Sequence, residues 1–179
     1  MDGDGPSSTQ IEIDAPVWRR LLADPERICR QAVEATLERV APPAWRQRAE
    51  IGVLLADDAA VRALNAAHRG QDRPTNVLSF PTLATPAAAL SGEPGDRPLL
   101  LGDLVLAAET IRTEAKAQGK PLPDHVRHLV VHGTLHLLGH DHEDDAQAVA
   151  MEELERSILA GLGVPDPYAQ ATGAREALP

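Results

Sequence analysis

Six of the chain's seven histidines fall in one eighteen-residue segment, HVRHLVVHGTLHLLGHDH, as His125, His128, His132, His136, His140 and His142. The spacing predicts a helix opened by Pro123-Asp124 and running to about Leu138, with Gly139 ending it. Residues four apart on a helix share a face one turn apart, so His132 and His136 project together, about 6 Å apart along the axis. Glycine takes the left-handed conformation that reverses a chain. His142, three residues past Gly139, can therefore swing back toward the first two.

The resulting pattern, H-x-x-x-H-x-x-G-x-x-H, suits a single divalent ion held by neutral imidazoles, at about 2.0–2.1 Å for zinc. Three protein ligands leave a position open for substrate or water, whereas structural sites more often use four ligands with cysteines. The one cysteine, Cys29, is far away in sequence. Imidazole-only ligation favours zinc, nickel or copper over magnesium. Spacing leaves two further members of the stripe, His128 one turn earlier and His140 one turn later. The helical phase is lost beyond Gly139, so His140 is expected to point away. His125 and His128 are read as surface residues or as an outer sphere around the ligands. Asp141 and Asp145 are candidate acceptors for a ligand N–H, or simply a solvated acidic turn.

A metallopeptidase of the H-E-x-x-H type carries its general base directly after the first histidine. Here that position is Gly133. Glycine inside a helix costs roughly 1 kcal/mol relative to alanine, so a close approach of another element to the helix is expected there.

Around this segment the chain alternates strand and helix signals. QIEI at 10–13 reads as an edge strand, and Asp24-Pro25 opens a helix with apolar positions from Ile28 to Val40 that Pro42-Pro43 stops. Ile51–Leu55 reads as a buried strand. Asp57 or Asp58 caps a helix to about Ala67 that ends at His68-Arg69-Gly70. Short strands follow at Val77–Phe80 and Leu99–Leu106, with an antiparallel pairing expected between them and an exposed loop at 82–98. Helices are expected at Ala107–Gln118 and about Asp144–Leu162. The fold class is therefore α/β of the α+β type: one mixed sheet of about four strands covered by five to six helices. Residues 1–8 and 165–179 read as loose ends flanking a single domain at 9–164.

Only four residues are aromatic (Trp18, Trp45, Phe80 and Tyr168), so the core must be aliphatic. Cys29 lies in an apolar-periodic segment and reads as buried. No apolar run is long enough for a signal peptide in the first thirty residues or for a membrane span anywhere, which makes a reducing cytoplasmic setting the default expectation. The net charge of −10 argues against a general polyanion binder. The excess is uneven: residues 1–80 hold 10 basic and 12 acidic side chains, residues 81–179 hold 7 and 15. Any contact with nucleic acid should be local and lie mostly in the first half.

A hydrolase without a fixed carboxylate base suits an anionic substrate, and a phosphodiester fits: a metal polarises a phosphoryl oxygen while an arginine neutralises charge on phosphorus. The segment HRGQDRPTNVLSFP supplies Arg69 and Arg73 at a helix end and turn, with Asn65, Thr75, Asn76 and Ser79 as nearby polar groups. HGTLHLLGHDH (132–142), RGQDRPTNVLSFP (69–81) and LGDLVLAAETI (101–111) together resemble the YbeY family of endoribonucleases, in that family's order and over most of residues 50–145. The resemblance implies a zinc-dependent, single-strand-specific endoribonuclease acting in 16S rRNA 3′-end maturation and ribosome quality control in the cytoplasm. It implies one zinc ion per chain on His132, His136 and His142, Arg69 as the functional arginine, and RNA and the ribosomal small subunit or its associated proteins as partners. His140 stands where the family often has tyrosine, and the 82–98 loop is longer than usual. Two other readings compete: a different metallohydrolase, and a non-catalytic metal-binding ribosome assembly factor.

Overall fold

A computed structural model describes residues 8–82 and 97–169. The loop expected at 82–98 lies almost wholly outside the described residues, as do positions 1–7 and 170–179 of the expected loose ends. The elements follow the order β1 (Ser8–Ile13), α1 (Trp18–Leu21), α2 (Pro25–Val40), α3 (Pro43–Arg46), β2 (Ala49–Ala56), α4 (Asp58–Arg69), β3 (Val77–Pro81), β4 (Leu99–Ala107), α5 (Ala108–Ala117), α6 (Leu122–Leu137) and α7 (Asp145–Gly161). The mixed α/β architecture agrees with the sequence. Among the described residues there are seven helices, because single turns form at α1 and α3. Four residues carry too little period to announce a helix. At α3 the proline that stops α2 also starts the next turn, with Pro43 at its first position.

The four strands form one sheet in the order β1-β2-β4-β3. β1 and β2 are parallel, as are β2 and β4, while β3 runs antiparallel to β4, the pairing expected from the sequence. A register shift between Glu50 and Ile51 marks a bulge on the β2–β4 ladder. Side chains alternate across the sheet. Ile51, Val53 and Leu55 of β2 and Leu104 and Leu106 of β4 join a large core beneath α2, α6 and α7, while Ala56, Leu78, Val105 and Ala107 join a small cluster with Val61 of α4. Helix starts are satisfied locally: Asp24, Asp57 and Asp144 each accept a backbone N–H three residues on.

The core is aliphatic except for its two tryptophans. Trp18 is fully buried and its indole N–H donates to the Ala56 carbonyl at 2.8 Å, joining α1 to the end of β2. Cys29 is fully buried in α2, and burial pushes its thiol up to about 12. The folded protein should therefore resist a thiol reagent at pH 8 and react stoichiometrically only in denaturant; prompt labelling of the native chain would contradict this packing. No helix among the described residues is long and apolar enough to cross a membrane.

Helix α6 is central to the architecture. It touches α2, α5, α7, β3 and β4, so one face of the histidine helix is fixed by the core. Gly133 explains how it comes so close to the sheet. A Cβ there would lie 2.8 Å from Leu104 Cδ2 and 3.2 Å from Ser79 Oγ. The close approach expected at this glycine is present, and the elements responsible are β3 and β4.

Candidate metal centre and its cleft

The C-terminus of α6 closes as a Schellman motif. The Gly139 N–H donates to His136 O at 3.0 Å and the His140 N–H donates to Leu135 O at 3.0 Å, with Gly139 at φ +91°. This reversal sends residues 140–142 back along the helix end. Asp141 then holds the turn by accepting the His142 backbone N–H at 2.8 Å.

The three histidines singled out by spacing converge. One ring nitrogen from each of His132, His136 and His142 lies within 4.8 Å of the others. The Nε2 atoms of His132 and His136 are 3.1 Å apart, close to the roughly 3.3 Å separating two ligands of a tetrahedral zinc. The donor set of three imidazoles with no thiolate fits a borderline cation such as zinc, nickel or copper. Burial, then the neighbouring rings of His132 and His142, push the His136 ring down to about 4. At neutral pH that ring is therefore in the uncharged form that a metal requires.

Behind His132 lies a carboxylate that sequence reading had not assigned. Glu155 of α7 is fully buried and accepts from His132 Nδ1 at 2.5 Å. Its other oxygen meets His128 Nε2 at 3.3 Å and the Tyr168 hydroxyl, which donates to it. Burial opposes ionisation here, but the bonds from His128, His132 and Tyr168 outweigh it and hold the carboxyl down at about 2. The bond fixes the His132 tautomer: Nδ1 carries the proton and Nε2 faces the converging site. The sequence offers Asp141 and Asp145 either as such acceptors or as a solvated acidic turn. Neither fills the role, because Asp141 is spent on the turn backbone and Asp145 sits in the first turn of α7. Glu155 falls on the same face as Met151, Ile158 and Leu159, and a carboxylate on that apolar stripe is the signal in the sequence that points to it.

His128 thus belongs to the outer sphere through Glu155. His125 is buried and donates from Nε2 to Glu114 Oε2 at 2.9 Å, away from the three-histidine cluster. His140 departs from expectation: it is not one of the converging three, but it lines the cleft in front of them instead of pointing away.

That cleft, about 550 Å³ in volume, is lined by His132, His136 and His142 on one side and by Arg69 and Ser79 on another. Arg69 is the last residue of α4, and its guanidinium donates to the Ser79 carbonyl at 3.1 Å. Ser79 Oγ in turn donates to the Gly133 carbonyl at 3.4 Å, so one residue of β3 ties both the arginine and the histidine helix. Arg73 is placed elsewhere. It lines a neighbouring cavity and bonds the Gln71 side chain. Asn65, almost fully buried, holds that turn by donating to the Arg73 carbonyl at 2.8 Å. Asn76 bridges regions, donating to Glu114 while its own side-chain oxygen accepts the Val77 N–H.

Two outcomes follow. Gly133→Glu, which would recreate the peptidase motif, forces a carboxylate into the contact with Leu104 and Ser79. It should destabilise the fold by more than about 3 kcal/mol and confer no peptidase activity, as thermal unfolding and a casein assay would show. The metal-free protein should also lose stability in acid in two stages. A folded His136 that titrates near 4 binds fewer protons than its unfolded form, so stability falls as pH drops from about 6.5 toward 4. Glu155, held near 2, adds a second loss from about pH 4.3 downward. Unfolding temperatures measured across pH 3–8 that stay flat would contradict both assignments.

The chain matches the family model described as Endoribonuclease YbeY over residues 20–163. A protein named Endoribonuclease YbeY from Rhodopseudomonas palustris (strain BisA53) is 51% identical over 164 residues, 92% of this chain and 91% of that one. One of the same name from Paramagnetospirillum magneticum (strain ATCC 700264 / AMB-1) is 48% identical over 160 residues, 89% of this chain and 94% of that one. The fold is also similar to the solution structure of TM1509 from Thermotoga maritima, with a TM-score of 0.54 and 23% identity over 84% of this chain and 86% of the other. With a family model spanning most of its length and relatives near half identity, the chain belongs to the endoribonuclease YbeY family.

Proposed function

We propose that the protein is a zinc-dependent, single-strand-specific endoribonuclease that acts in 16S rRNA 3′-end maturation and ribosome quality control in the cytoplasm. The observation that carries this reading is the meeting, in one cleft, of three converging imidazoles and the Arg69 guanidinium. His132, His136 and His142 would hold the ion. When bound, zinc supplies Lewis acidity toward a phosphoryl oxygen.

The remaining roles belong to the chain's own side chains. Arg69 binds the scissile phosphate and offsets the charge that grows on it during cleavage. The Ser79 carbonyl aims Arg69 into the cleft, and Glu155 aims His132. An open cleft admits a splayed backbone and excludes a rigid duplex, in keeping with single-strand selectivity. The net charge of −10 makes affinity for naked RNA low and salt-sensitive, so the small subunit or its associated proteins deliver the substrate. The peptidase alternative fails on Gly133, whose surroundings leave no room for a carboxylate.

The test pairs metal analysis with cleavage of ribosomal particles by wild type and Arg69→Ala. Zinc-loaded wild type should cut precursor 16S rRNA near its 3′ end and the variant should not. Equal cleavage by both would point to a contaminating nuclease and favour a non-catalytic assembly role. Product ends report the nucleophile, since a 2′,3′-cyclic phosphate requires attack by the ribose 2′-OH.

A further inference from the structure

On the far side of His132 from the Arg69 cleft lies a second cavity, of about 580 Å³, and the two share His132 and Asn76 as common walls. Its character differs from the first. Leu129, Pro167 and Tyr168 provide carbon-rich walls, and Glu114, Gln118 and Lys120 stand around them with hydrogen-bonding groups. A flat heterocycle with polar edges needs this combination, and a phosphate does not.

The polar groups are held in place. Glu114 takes hydrogen bonds from His125 and Asn76; burial opposes its ionisation, but these bonds prevail and keep its carboxyl below the usual range. Two of its bonding directions are thereby committed, and a carboxylate has capacity for about four. Lys120 donates to the Pro167 carbonyl at 2.7 Å, which fixes its ammonium on the cavity wall and, among the described residues, leaves two N–H groups uncommitted. The segment at 165–169, which sequence reading assigned to a loose tail, is tied down by that bond and by Tyr168 on Glu155, with Arg156 stacked 5.1 Å from the Tyr168 ring centroid.

We infer that this cavity is a nucleotide subsite, taking the base of the residue that flanks the scissile phosphate while the phosphate itself lies at Arg69 and the three histidines. Glu114 accepts from an exocyclic amino or ring N–H of the base, and Gln118 and Lys120 donate to its ring nitrogens, its carbonyl oxygens or the next phosphate. The inference rests on the endoribonuclease reading for its substrate and on the cavity alone for its location. It gives the enzyme a grip on the base despite the shortage of aromatic platforms elsewhere in the chain.

The protein has a single tyrosine, so isotope-labelled tyrosine yields one ring signal, from Tyr168 inside the cavity. The zinc-loaded full chain is titrated with adenosine 5′-monophosphate and, separately, ribose 5-phosphate. The nucleotide should shift the Tyr168 signal saturably and the sugar phosphate should leave it unmoved. Gln118 is exposed at the end of α5, so Gln118→Trp fills the mouth without entering the core. It should abolish the nucleotide shift with the unfolding temperature unchanged. Equal shifts by both probes, or a shift that persists in Gln118→Trp, would overturn the subsite. A second arm cleaves an RNA with one abasic residue beside the cut bond. The rate should fall about tenfold or more, as expected when the apolar face of one base is no longer buried. Undiminished cleavage overturns the subsite and leaves the nuclease reading intact. A Tyr168 response without cleavage of intact RNA upholds the cavity as a nucleotide site and overturns the nuclease reading.

Discussion

Glu155→Ala should weaken metal binding ten- to a hundredfold and lower stability by about 3 kcal/mol. The carboxylate is fully buried and receives His132, His128 and Tyr168 together. Removing it takes from His132 and His128 the acceptor that they share, and it opens a void between α6 and α7. The His132 ring loses the bond that keeps Nε2 turned toward the other two imidazoles. Glu155→Gln separates the two consequences. The amide keeps the volume and one acceptor for His132 Nδ1–H, so most of the stability should return while the metal affinity recovers only in part. Competition against a chromophoric chelator reads the affinity, and urea unfolding reads the stability. An alanine variant that bound metal as tightly as wild type would show that His132 is oriented by packing alone.

Arg69→Ala should reduce cleavage by a factor of about 10² to 10³ and leave folding nearly untouched. The side chain is exposed and, among the described residues, its one hydrogen bond is to the Ser79 carbonyl, so little of the described structure depends on it. In the proposed reading its value lies in presenting a planar guanidinium to the cleft that the three histidines also line. Arg69→Lys retains the charge without the two-pronged donor geometry and should recover only a small part of the rate. Metal content should equal that of wild type in both variants. Single-turnover rates on ribosomal particles, with zinc content measured on the same samples, distinguish a lost phosphate contact from a lost ion.

Local spacing made much of the site readable. His132, His136, Gly139 and His142 sit within eleven residues, and helix geometry plus one glycine turn fixes their relation without help from the rest of the chain. Gly133 was similarly informative, since a mid-helix glycine signals a neighbour and the sheet supplied one in Leu104. Arg69 and Arg73 could not be told apart by residue type, and the fold decides by directing only Arg69 into the cleft. Glu155 was harder because its partner lies 23 residues away on another helix, a contact set by how α7 crosses α6. Strand order was beyond reach for the same reason. β4 inserts between β2 and β3, and nothing local to Leu99–Ala107 specifies which neighbours it takes. Tyr168 lies in a proline-containing segment without period, yet its hydroxyl completes the cage around Glu155.

The most direct measurement compares zinc stoichiometry and RNA cleavage in wild type and in the single variants His132→Ala, His136→Ala and His142→Ala. One ion per wild-type chain should be found, each variant should lose tight binding, and cleavage should vanish in step and return to wild type alone when a stripped sample is reloaded. Wild type that cleaves equally well after complete removal of metal, or a variant that keeps its ion at full affinity, would contradict a centre in which these three rings share one cation.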